Sequence, residues 1–286
     1  MLVIIGCVVV ILCVAGGFLV EGGNLSILFQ PAELLIIGGA AFGGFLIATP
    51  MPAVKQVVVG VMETLKGDPY TKKDYLDVLQ LLSEIFYKIR KQGLVAVEAD
   101  VDNPGESAIF SKYPGVVKDH HILAFITDTL RTVITTQIEP YELDALMDMQ
   151  LEEHHEELMI PSRSLATIAD ALPGLGIVAA VLGVVLSMQK IGEPPEVLGK
   201  SVGAALVGTF LGVLLCYGFF GPASRMLEHI ATAKVQYMTV VKVVLKSFVS
   251  NNASPQVAIE FGRRIIPAKV RPDFYEVEDA IRRVKK

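Results

Sequence analysis

Four stretches of the chain are apolar almost without interruption, at 2–20, 35–54, 171–188 and 201–222. Each is close to the roughly 20 residues that carry a helix across the hydrocarbon core of a bilayer. The second is broken near its end by Pro50 and Pro52, the third has Pro173 near its start, and the fourth ends in Pro222. The fourth, SVGAALVGTFLGVLLCYGFFGP, sets Gly203, Gly208 and Gly212 on a repeating small-residue face. Small residues let helix backbones approach closely in lipid, where apolar side chains gain little from meeting each other, so this stretch and 171–188 are predicted to pair as a helical hairpin. Between the apolar stretches the period changes. TKKDYLDVLQLLSEIFYKIRKQGL places apolar residues at 75, 79, 82, 86 and 89, a helical stripe that closes at Gly93. PYELDALMDMQLEEHHEEL, at 140–158, reads as a second helix and DNPGESAIF, at 102–110, as a turn. Strand-like alternation is absent from the sequence, so the expected fold class is all-α.

Composition turns that pattern into a membrane protein. With 52% hydrophobic residues, a mean hydropathy of +0.53 and 19% charged residues, the 286-residue chain is too apolar for an ordinary soluble domain yet keeps room for large water-exposed parts. The first run lacks a basic lead-in and is followed by EGGN, so it reads as a retained helix. Cys7, Cys13 and Cys216 all fall inside predicted spans, where a thiol is a small apolar packer; no disulfide, metal site or cofactor is expected.

Charge sets the expected orientation. The connection 21–33 has no Lys or Arg and the connection 190–200 has Lys190 and Lys200, whereas segment 55–166 has eleven and the tail 223–286 has twelve. Basic residues accumulate on the cytoplasmic side, so both termini and the central segment are expected there. The layout is four transmembrane helices, paired in 1–54 and 167–222, with a large helical cytoplasmic domain at 55–166 and a helical cytoplasmic tail at 223–286. The central segment carries nineteen acidic residues, net −8, and the tail six, net +6. These complementary fields predict that the tail docks on the central segment, and they also draw a basic tail toward anionic lipid. Nothing in the sequence points to nucleic acid.

Enzyme-like motifs fail on spacing. GEPPEVLGKS ends like a phosphate-binding loop, but Gly192 to Gly199 is too long for that motif and no strand precedes it. His154 and His155 in EEHHEE point about 100° apart on a helix, which disfavours a shared metal. No nucleophile and base pair up, so no enzyme is expected. Within the predicted spans no carboxylate lies deep; Asp170, one turn before Pro173, is the nearest. An intramembrane carboxylate is the usual carrier of a proton relay, so an ion-conducting role would require one from another chain. Pro173 and Pro222 each remove a backbone donor and suggest a hinge, while Thr209 is expected to bond to a carbonyl one turn back.

The residues Ala205-Leu206-x-Gly208-Thr209-Phe210-x-Gly212-x-Leu214, followed by Pro222, resemble the signature of the MotA family, the larger subunit of the flagellar stator. RKQGLVAVE at 90–98, DNPGESAIF at 102–110, LPGLGIVAAVLGVV at 172–185 and VAIEFGRR at 257–264 resemble the corresponding segments of that family. The resemblance implies a homopentamer around a MotB dimer, whose single transmembrane helix brings the ion-binding aspartate, in the inner membrane, with torque delivered to the rotor protein FliG. Residue by residue, it implies that Arg90 and Glu98 face FliG, that Pro173 and Pro222 shape the ion-coupled change, and that Thr209 and Ala180 line the ion path. Gln150 stands where relatives are often acidic and receives no rotor role. Sodium-driven relatives have a threonine seven residues after the proline of span three; Ala180 at that distance favours protons over sodium. The rivals are an ExbB- or TolQ-like energiser of outer-membrane processes and a non-transporting scaffold. Four spans and segment 90–98 favour the stator.

Overall fold

The computed structural model describes residues 2–136, 138–249 and 253–284, and every element among them is helical. In chain order the helices are α1 (Leu2–Val20), α2 (Leu25–Leu28), α3 (Pro31–Ala48), α4 (Met51–Thr64), α5 (Lys72–Gln92), α6 (Glu98–Asp102) and α7 (Pro114–Lys118). They continue as α8 (His120–Thr135), α9 (Pro140–Met188), α10 (Pro195–Leu215), α11 (Gly221–Val249), α12 (Pro255–Ile265) and α13 (Phe274–Val284). The chain divides into two compact units, one of residues 1–67 and 157–231, the other of 68–156 and 232–286. Four helical segments are long and apolar enough to cross a membrane: Leu2–Val20, Leu25–Ala48, Pro140–Met188 and Pro195–Val249.

The first unit holds the apolar helices. α1 fully buries none of its residues, but Val3, Cys7, Val10, Val14 and Phe18 form a half-buried stripe, and its remaining apolar faces are open to lipid or to other chains. α3 buries Glu33, Ile37, Ala41 and Phe45, one stripe at a spacing of four. This helix corrects the expected second span at 35–54. Pro31 stands at its first position, where a missing N–H costs nothing, and it ends at Ala48 because Thr49 precedes Pro50 and is held extended, φ −126° and ψ 124°. Pro50 then caps the separate α4. Likewise α10 starts at Pro195, inside what the hydropathy assigns to a loop.

Two further boundaries differ from expectation. The helix foreseen at 140–158 and the span at 171–188 belong to one 49-residue helix, α9, which accommodates both Pro161 and Pro173 in its interior. Pro222 does not end its helix either. The Gly221 N–H bonds to the Cys216 carbonyl five residues back, so Cys216–Phe220 is a π turn that links α10 to α11. A proline clashes with the carbonyl four residues earlier, here that of Gly218, and the wider turn relieves the clash.

The second unit is a helical domain with its own core. Tyr75, Leu79, Leu82 and Phe86 of the α5 stripe are buried together with Phe125 and Leu130 of α8, Leu143 and Met147 of α9, Val241 and Leu245 of α11, and Ile259 of α12. α5 stops where the pattern says it must, at Gly93, whose φ of 88° is costly for any residue with a side chain. The tail packs on the central segment, and the opposite charges meet at specific places. The buried Lys242 reaches Asp144 at 2.9 Å and Asp148 at 2.6 Å, Lys246 reaches Asp144 at 2.6 Å, and Lys72 reaches Glu276 at 2.6 Å. Hydrogen bonds from Lys246 and Lys242 hold the Asp144 carboxyl below the usual range despite its partial burial. In the VAIEFGRR stretch Gly262 lies directly against Val244, where a β-carbon has no room, and this lets α12 sit close on α11.

Candidate functional site

The predicted hairpin of small residues forms, with the backbones of α9 and α10 in close approach. A β-carbon placed on Gly176 would lie 2.8 Å from the Gly208 carbonyl and 3.3 Å from the Thr209 α-carbon; one on Gly212 would lie 2.5 Å from the Leu172 carbonyl. One on Gly208 would lie 3.1 Å from the backbone nitrogen of Ala180, and one on Gly183 would lie 2.6 Å from the Ala205 side chain. α9 and α10 therefore meet backbone to backbone from Leu172 to Gly183 and from Ala205 to Gly212. This seam brings together Ala180, which is buried, and Thr209, which is half-buried. Thr167 and Ser187 donate to carbonyls one turn back, Arg163 at 3.0 Å and Gly183 at 2.8 Å. Among the described residues Thr209 has no such bond, contrary to expectation. Pro173 is half-buried next to the seam, while Asp170 and Pro222 are exposed.

One buried carboxylate stands within the second span as the helix is built, at a position that the hydropathy pattern leaves in the connection 21–33. Glu33 lies in the first turn of α3, is only 8% exposed, and packs against the same seam. Its Oε2 lies 2.7 Å from the position a β-carbon on Gly208 would take, and its Oε1 3.4 Å from that on Gly183. The reason for the miss is the helix boundary: hydropathy starts the span at Leu35, whereas Pro31 starts the helix and carries Glu33 into it. A second missed contact joins Ser162 of α9, directly after Pro161, to Ser224 of α11, two residues after Pro222.

The second candidate surface lies in the other unit. Arg90, in the last turn of α5, is exposed but anchored: its guanidinium donates to the Ala253 carbonyl at 3.0 Å and sits 5.3 Å above the Phe248 ring. Glu98 opens α6 and is exposed. The segment between them is held from behind. Buried Asp100 accepts from Lys88 at 2.6 Å and from the Ser107 hydroxyl at 2.6 Å, and the Ser107 oxygen accepts from the Ile109 N–H at 3.1 Å. The DNPGESAIF turn is thus a clamp on the short helix that presents Glu98. A parallel clamp joins buried Glu84 to Lys112 and to the Tyr113 hydroxyl, each at 2.6 Å; burial, reinforced by Glu84, raises the Tyr113 phenol well above its usual range. Gln150 is half-buried on α9. His154 packs on His121 with ring centroids 4.5 Å apart, and among the described residues no three His, Cys, Asp or Glu side chains converge on a metal position.

Comparison with known proteins agrees in both halves of the chain. The Motility protein A N-terminal model matches residues 4–93, and the MotA/TolQ/ExbB proton channel family model matches residues 118–240. Motility protein A of Salmonella typhimurium and that of Escherichia coli are each 41% identical over 285 residues, covering 100% of this chain and 96% of the relative. The chemotaxis protein LafT of Vibrio parahaemolyticus is 36% identical, covering 96% of each chain. Among solved structures, a chain of the flagellar MotAB stator complex from Bacillus subtilis matches with a TM-score of 0.74 at 21% identity, covering 94% of this chain and 96% of its own. A chain of C. jejuni MotAB matches with a TM-score of 0.75 at 20% identity, covering 93% and 95%.

Proposed function

The chain belongs to the MotA family of the MotA/TolQ/ExbB proton channel group, and from that premise we propose that it is the multi-copy stator subunit that couples proton flow across the inner membrane to torque on FliG. Five copies surround a MotB-like dimer whose transmembrane helix carries the ion-binding aspartate. The observation that carries this reading is the seam of α9 and α10, where glycines at 176, 183, 208 and 212 bring Ala180 and Thr209 into one close-packed wall. The glycines are spent on that contact, so what the hairpin can offer a partner helix is the half-buried Thr209 and the exposed Leu206 and Val213 beside it. The exposed apolar faces of α1 suit contact with lipid and neighbouring copies. Ala180 brings a methyl group where a hydroxyl would help replace the hydration shell of sodium, which favours protons. The density of Lys and Arg at 55–166 and 223–286 supports cytoplasmic termini. Arg90 and Glu98, both exposed, serve as the charged contacts to FliG.

The test is a deletion strain complemented with this chain, its MotB-like partner, or both. Swimming and proton uptake by membrane vesicles should require both chains. Proton flux through this chain alone, equal to that of the pair, or normal swimming after deletion, would refute the stator reading.

A further inference from the structure

We infer that Glu33 is a proton-binding site of this chain itself, a carboxyl built into the wall of the ion path beside Gly208; the inference rests on the stator reading above. Four observations converge. Glu33 is more than nine-tenths buried although it belongs to a helix of membrane-spanning composition. Its Oε2 is buried and has no hydrogen-bond partner among the described residues. Both carboxylate oxygens lie over glycines, Oε2 over Gly208 and Oε1 over Gly183, and Oε2 occupies space that exists only because Gly208 lacks a side chain. Gly208 also touches the backbone of Ala180 and precedes Thr209, which places the carboxyl on the wall assigned to ion passage.

An ionised carboxylate with one oxygen buried and unpaired is strongly disfavoured, so the group rests as the neutral acid and ionises only when a proton acceptor comes within reach. A purely structural acid would be bonded to a donor on α9 or α10, and the neighbouring positions instead offer glycine and alanine. The step is a simple transfer. One carboxyl oxygen of Glu33 gives its proton to an acceptor on the partner helix or to a water molecule, and the resulting carboxylate takes up a new proton from the aqueous side adjoining residues 21–30 and 190–194. Nothing is oxidised or reduced.

The experiment uses wild-type chain co-expressed with its MotB-like partner in membranes. Treatment with dicyclohexylcarbodiimide, which modifies protonated carboxyls in apolar surroundings, followed by peptide mass spectrometry, should yield an adduct at Glu33 that declines as the pH is raised. In E33Q the complex should assemble while proton uptake falls by on the order of tenfold to a hundredfold, and E33D should retain part of the flux. Absence of the adduct at every pH, or E33Q flux within about twofold of wild type, overturns the inference; twofold is less than about 0.5 kcal/mol. If E33Q fails to assemble, the adduct on the wild-type complex decides. Failure of the stator reading looks different: wild-type vesicles containing both chains would take up no protons, whatever the labelling at Glu33.

Discussion

Ser162 and Ser224 hold each other's backbone: the Ser162 hydroxyl donates to the Ser224 carbonyl at 2.9 Å and the Ser224 hydroxyl donates to the Ser162 carbonyl at 2.9 Å. Both side chains are buried, so the pair joins α9 to α11 where water cannot substitute for either bond. Ser162→Ala and Ser224→Ala should each lower stability by about 0.5–1 kcal/mol, and the double variant by more than either alone. Thermal unfolding of the detergent-solubilised protein reads this directly. Unchanged midpoints in all three variants would make the reciprocal bonds irrelevant to stability.

The glycines along the seam differ in what they touch. Gly212→Ala drives a methyl group to 2.5 Å from the Leu172 carbonyl, a backbone atom that cannot swing away, whereas Gly203→Ala meets nothing within 4 Å. The first should cost about 1–3 kcal/mol and reduce the amount of assembled complex, and the second should be neutral. Native gel electrophoresis of the pair, side by side, checks the contrast.

Pro173→Ala and Pro222→Ala each restore a backbone donor within a continuous helix. Both should slow or stop rotation while the complex still assembles, because a bias of a few kcal/mol toward one conformer depopulates the other strongly. Tethered-cell rotation normalised to bound stators is the measurement. Wild-type torque in both variants would reduce the prolines to local packing.

Charge reversal should impair swimming at both Arg90 and Glu98, but only one of them should also lose stability. Arg90→Glu gives up the bond to the Ala253 carbonyl and the contact with the Phe248 ring, together about 1 kcal/mol or more. Glu98→Lys, at an exposed helix start, should stay within about 0.5 kcal/mol. Compensating reversals on FliG should restore motility first for Glu98; rescue of neither would remove the electrostatic contact.

Acid should loosen the tail through Glu260. Bonds from Arg263, aided by Arg264, outweigh partial burial and lower its carboxyl from 4.5 to about 2. A carboxylate depressed in the folded state stabilises fully above its unfolded value, so this contribution is complete above about 4.5 and disappears as the pH falls toward 2. Its size is on the order of 1–2 kcal/mol once solvent screening is allowed for. Glu260→Gln should flatten the acid limb of a stability profile measured by helicity.

The seam of small residues and the α5 stripe could be read from the chain because each depends on a short repeat: glycines about a turn apart, and apolar positions at 75, 79, 82 and 86. Tail docking followed from opposite net charge, although the particular pairs, such as Lys242 with Asp148, did not. Glu33 escaped because a hydropathy run is measured from its first apolar residue, while a helix is started by its cap and by a proline that fits there. The single α9 escaped because a proline argues for a break when the surrounding packing is unknown. Ser162 and Ser224 stand 62 residues apart with no periodic signal between them.

The π turn at Cys216–Phe220 lets the helix carry one extra letter without losing its reading frame. Along α10, Gly208, Gly212 and Cys216 keep to one buried face. Ser224 comes eight residues after Cys216, which in an unbroken α-helix would carry it about 80° off that face. Absorbing one residue in the wider turn makes the step effectively seven, and Ser224 returns to within about 20° of the face, in time to meet Ser162. Deleting a single residue from this turn would let a plain α-helix run through with the following side chains still aimed as they are, whereas winding the turn tight without a deletion would swing all of them by about 100°.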